Sequence, residues 1–133
     1  MNSKKTIFSI LCLFVISNVL TTMWYMFTDD ANFVSFRRSE INYLGLILNH
    51  VIFVSGLVYL FPFYIKEQNT RLKSFVFGVV MAIIMFLPTG LVVRSIWQVD
   101  FNTIFALNTM AHAIIGGLLG LCLHFIYNYK RQS

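Results

Sequence analysis

The sequence predicts an all-α integral membrane protein: a single-domain four-helix transmembrane bundle, residues 1–133, with both termini in the cytoplasm. Three observations predict it. Only 11% of the 133 residues are charged and 58% are hydrophobic, whereas a soluble domain carries about 25% charged residues. The apolar residues fall into four runs, each near the roughly 20 residues that a helix needs to cross a bilayer. Basic residues gather on alternate connections between those runs, as the positive-inside rule requires.

The first run covers 6–27, about 33 Å as a helix at 1.5 Å per residue. Lys4 and Lys5 precede it, which raises the question of a cleaved signal. The run is too long for a signal-peptide core, no A-x-A-like site follows, and no small residue precedes Cys12. It is therefore read as a retained helix. Residues 28–40 mix Asp29, Asp30, Arg37, Arg38 and Glu40 with Phe33, Val34 and Phe36, the pattern of a segment lying at the membrane surface. The second run covers 41–65, with Pro62 near its end. A short basic connection, 66–73, leads to the third run at 74–93. Pro88 lies in its last third and Thr89 follows; the backbone groups freed by the proline need a neighbouring helix or the Thr89 hydroxyl. The fourth run covers 104–127.

Lys4, Lys5, Lys66, Arg71, Lys73, Lys130 and Arg131 fall on one side of the expected bundle. Arg37, Arg38 and Arg94 fall on the other, with four of the five acidic residues. Counting Lys and Arg places the N- and C-termini inside. The aromatics agree, with Trp24, Tyr25, Tyr43 and Trp97 at the outer interface and Tyr64, Tyr127 and Tyr129 at the inner one. The net charge of +5 is thus topological, and a nucleic-acid partner is not expected. Cys12 and Cys122 lie inside apolar runs without CxxC or zinc spacing, and are read as small buried hydrophobes.

The polar residues within the runs share a level. Asn18 precedes the outer end of the first run by nine residues, Asn49 and His50 follow the outer end of the second by eight and nine, and His112 follows that of the fourth by eight. All four then lie about 12–14 Å below the outer surface, with Asn108 one turn above His112. Polar groups in hydrocarbon are costly unless paired, so they should face the bundle interior. Two readings stay open. One is structural: cross-helix hydrogen bonds of about 0.6 kcal/mol each. The other is a small polar pocket, open to the outer side, that binds a ligand or relays protons. Arg94, beside Trp97, snorkels to the headgroups or caps that pocket. Histidines on two helices at one depth also suit the axial ligation of a haem by His50 and His112. His124, twelve residues beyond His112, has no partner histidine at its own depth and is read as a headgroup-level side chain.

Small residues mark the expected helix contacts. Gly116 and Gly120 form a GxxxG on the fourth helix, with Gly117 beside them, and Gly45 and Gly56 share a face of the second with Asn42 and Asn49. These faces suit packing within the chain, or a contact with a second copy or a larger membrane complex. No nucleophile–base arrangement or phosphate loop appears. The runs contain no Asp or Glu, which argues against a cation exporter working through a membrane carboxylate.

The stretches SNVLTTMWYMF (17–27), INYLGLILNHVIFVSGLVYLFP (41–62), FGVVMAIIMFLPTGLV (77–92) and NTMAHAIIGGLLGLCLHFIY (108–127) together resemble a family of small four-helix bacterial membrane proteins of unknown function. The resemblance covers most of the chain. It implies the same fold and a bacterial inner membrane, and no particular chemistry. The expectation is a multi-pass membrane protein without enzymatic activity or resident cofactor: a small-ligand binding or transport unit, or an accessory subunit, in contact with bilayer lipids. The alternative is a haem-binding or redox protein using His50 and His112.

Overall fold

The structure, a computed structural model, describes residues 3–27, 43–65, 70–96 and 103–128, with side chains for all of these but 93–96, 103 and 104. The described residues form four helices: α1 Ser3–Phe27, α2 Tyr43–Tyr64, α3 Arg71–Ile96 and α4 Thr103–Asn128. All four are long and apolar enough to cross a membrane. The expected surface segment at 28–40 lies outside the described residues, as do Trp97 and the side chain of Arg94.

The expected run at 74–93 becomes a longer helix because its start is capped. The Thr70 hydroxyl accepts from the Lys73 amide at 3.2 Å, and the Thr70 carbonyl accepts from the Ser74 amide at 3.1 Å. This is the bonding of a helix N-cap, so α3 begins at Arg71. The helix continues through Pro88, where the Thr89 hydroxyl donates to the Met85 carbonyl at 3.0 Å.

Neighbours in sequence are antiparallel neighbours in space. At one end Lys5 Nζ donates to the Tyr127 carbonyl at 3.0 Å and the Phe61 and Phe77 rings meet at 5.6 Å. At the other end Trp24 Nε1 donates to Asn108 Oδ1 at 3.0 Å. The start of α1 and the end of α4 therefore lie at the same end of the bundle. Around the bundle the order is α1, α2, α3, α4, with α4 closing against α1 and with α1 and α3 on the diagonal. The core includes Leu13, Phe53, Val54, Leu57, Phe61, Phe77, Leu119 and Leu123.

The tightest contact joins α3 to α4. Ser74, Gly78 and Ala82 on α3 face Gly120 and Gly116 on α4. A Cβ on Gly120 would strike the Ser74 carbonyl, and one on Gly78 would strike the Gly116 carbonyl. Small residues thus bring backbone against backbone, the packing that lipid-embedded helices use. Gly56 is looser, with only the Met81 methyl 4.0 Å from where a Cβ would sit. Gly45 is exposed near the start of α2.

The surface is apolar. On α1, Ser9, Leu13, Ser17 and Thr21 are buried while Ile7, Leu11, Val15 and Val19 are 52–59% exposed. Both sets recur every four residues, so they are opposite stripes of one helix. This helix points hydroxyls inward and aliphatics outward, the reverse of a surface helix in a soluble protein. Such a pattern is consistent with a transmembrane bundle.

Candidate functional site

Toward the end of the bundle away from Ser3 and Asn128, the four helices border a half-open cavity of about 290 Å³. Its walls come from every helix: Thr21 and Tyr25 on α1, Asn49 and His50 on α2, Met85 and Phe86 on α3, and Asn108 and His112 on α4, among others. The expected polar level thus maps onto one space for Asn49, His50, Asn108 and His112.

Asn18 lies elsewhere. Its side-chain amide donates to the Phe14 carbonyl of its own helix at 2.8 Å, and it does not line the cavity. The residue that meets His50 is the one before it: Ser17 Oγ lies 2.8 Å from His50 Nδ1. One residue turns a helix by about 100°, so matched depth did not bring Asn18 to the same face. The signal that finds Ser17 is angular. Ser9, Leu13, Ser17 and Thr21 stand four apart and mark the inward stripe of α1.

Both imidazoles are deeply buried, His50 being 5% and His112 6% exposed. His112 Nδ1 lies 2.8 Å from the Asn108 carbonyl. A carbonyl only accepts, so Nδ1 carries the proton and a neutral His112 keeps its lone pair on Nε2. His50 uses Nδ1 toward a hydroxyl, which donates or accepts by rotating, so either tautomer fits. Among the described residues neither Nε2 has a protein hydrogen-bond partner, and neither does the carboxamide of the half-buried Asn49. Unmet polar groups inside an apolar bundle call for water or a ligand.

Aromatic rings frame this space. Phe86 packs on His112 with ring centroids 4.4 Å apart, and Tyr25 stands edge-on to His112 at 6.3 Å. Phe105 fills the space over Gly90, where a Cβ would come within 2.6 Å of its ring. The Thr109 hydroxyl donates to the Phe105 carbonyl at 2.9 Å and is committed to its own helix. At the opposite end His124 sits apart from the cavity, with Ser74 Oγ at 3.4 Å and the Asn128 amide at 3.2 Å from its ring nitrogens. Among the described residues no three His, Cys, Asp or Glu side chains come together.

Comparison with models of protein families, with curated proteins and with solved structures yields no match. The functional reading rests on the residues of this chain.

Proposed function

We propose that this chain is a non-enzymatic multi-pass protein of a bacterial inner membrane, with both termini cytoplasmic, that binds a small polar ligand in the cavity from the outer side. The observation that carries the reading is the pair of buried imidazoles, His50 and His112, facing one cavity with a ring nitrogen each to spare. Burying those two Nε2 atoms without partners is costly, and a bound guest offsets that cost. The apolar exterior supports insertion, since lipid is the medium that such a surface suits. The orientation rests on seven of the ten Lys and Arg lying on the side of the termini. At about 290 Å³ the cavity is at the small end of ligand pockets, which run roughly 300–1,000 Å³. That size favours a guest of a few atoms over the haem of the alternative reading.

Access is the test. In a variant with Cys12→Ala and Cys122→Ala, Asn49→Cys should react with a membrane-impermeant thiol reagent added outside intact cells, and the lipid-facing Val51→Cys should not. Failure of Asn49→Cys to react would remove the outer cavity as a binding site. Orientation is read separately. A reporter fused after Ser133 should be active only if it works in the cytoplasm, and periplasmic activity there would reverse the topology.

A further inference from the structure

The proposed cavity has one more donor whose chemistry narrows the guest. Met85 lines it together with His50 and His112, so two imidazole-bearing residues and a thioether-bearing one from three different helices border one space. We propose that this cavity is a binding site for a soft monovalent metal cation, Cu+, with His50 Nε2, His112 Nε2 and Met85 Sδ as ligands; the inference rests on the cavity reading above. Three observations combine. First, both histidines are more than nine-tenths buried, and each has its Nδ1 hydrogen-bonded, to the Ser17 hydroxyl and to the Asn108 carbonyl. Ligating histidines are held in that way, with one ring nitrogen fixed by an oxygen and the other presented to the metal. Second, the third donor is a thioether, and soft sulfur with imidazole selects Cu+ among the first-row metals. Third, the donor set is neutral. No Asp or Glu occurs within the four helices, so the charge of a bound ion goes unbalanced by the ligands. The Born cost of an ion in a low-dielectric interior grows with the square of its charge. It is about fourfold larger for a divalent ion than for a monovalent one, so this site disfavours Zn2+ and Ni2+ and tolerates Cu+. Among the rings around the ligands, Phe86 and Tyr25 pack on His112 and hold its imidazole in place.

The test is titration of the purified protein in detergent with Cu+, held reduced by ascorbate under anaerobic conditions, against a chromogenic Cu+ chelator. The Cys12→Ala, Cys122→Ala background removes the thiols. One Cu+ per chain is expected. Met85→Leu conserves volume in a packed setting, so it should fold normally and weaken Cu+ by at least about tenfold, the lower end of what losing even an outer-shell partner costs. His112→Gln should weaken it further. Thermal unfolding of each variant confirms that it is folded. Unchanged Cu+ affinity in a folded Met85→Leu, no stoichiometric Cu+ in the parent, or Zn2+ bound as tightly as Cu+ would each overturn the proposal. If Asn49→Cys still reacts from outside while Cu+ fails, the copper assignment falls and the cavity stands. If Asn49→Cys is unreactive, the cavity reading itself falls.

Discussion

Helices α3 and α4 run side by side, yet their two halves meet in opposite ways. Toward the termini they touch through backbone, at Ser74, Gly78 and Ala82 against Gly120 and Gly116. Toward the other end the same two ridges continue at the same four-residue spacing, through Phe86 and Gly90 on α3 and through His112 and Asn108 on α4. There the contact is between side chains, with the Phe86 ring 4.4 Å from the His112 ring. Matched i±4 ridges guide both halves. What lies between them differs, backbone against backbone at one end and the Phe86, Phe105 and His112 rings at the other. His50 and His112 lie at the side-chain-packed end and His124 stays at the seam beside Ser74, so the seam acts as the closed end of a wedge and the cavity as its mouth.

The strongest way to break this comparison is to enlarge a seam residue. Gly120→Leu puts a branched side chain where even a Cβ strikes the Ser74 carbonyl, and backbone cannot move aside as a side-chain tip can. The expected loss is at or above the top of the range of about 1–3 kcal/mol for overpacking, read as a fall in melting temperature in detergent. An unchanged melting temperature would mean that the Gly116–Gly120 face meets lipid and that α3 packs elsewhere.

Next in size is the clamp at the mouth. Trp24 Nε1 donates to Asn108 Oδ1 at 3.0 Å and ties α1 to α4 beside the cavity. Trp24→Phe keeps a ring and removes that donor, so stability should fall by about 1 kcal/mol, with no loss of the seam. A drop as large as that of Gly120→Leu would show that the wedge is held from its mouth.

Much of this arrangement was readable in the sequence. The four runs match α1 to α4 to within a few residues at either end. What the runs could not give was the angular position of each side chain. Asn18 and Ser17 lie at nearly one depth, and only the interhelical geometry shows that Ser17 faces His50. The α3 side of the seam was legible in principle, because Ser74, Gly78 and Ala82 are spaced as small-xxx-small, but flanking aromatics obscure that stripe. Met85 gave no signal at all. A lone methionine in an apolar run reads as core, and only the packed bundle brings it to the same cavity as the two histidines.

A smaller effect separates glue from binding at the mouth. His112→Asn keeps a short polar side chain near the Asn108 carbonyl of its own helix and loses the ring contact with Phe86, so stability should fall by about 0.5–1 kcal/mol. Unfolding on this substitution would make His112 a structural linchpin and remove the reason to see a ligand behind its burial.

The smallest expected effect sharpens the comparison most, because it applies one chemical change at two glycines. Gly→Ala adds a single methyl group and, in a helix, removes backbone freedom worth roughly 0.5–1 kcal/mol. At Gly56 that methyl would meet only the end of Met81, at 4.0 Å, an ordinary van der Waals distance. Packing then costs nothing, and Gly56→Ala should leave the melting temperature unchanged or slightly raised. At Gly116 the same methyl would strike the Gly78 carbonyl and come within 2.5 Å of the Ala82 methyl, so the helices must separate and the gain in chain entropy is lost to it. The two substitutions should therefore differ in sign. Equal destabilisation would mean that α2 is held as closely as α3 and α4 are, and that the bundle closes uniformly rather than as a wedge.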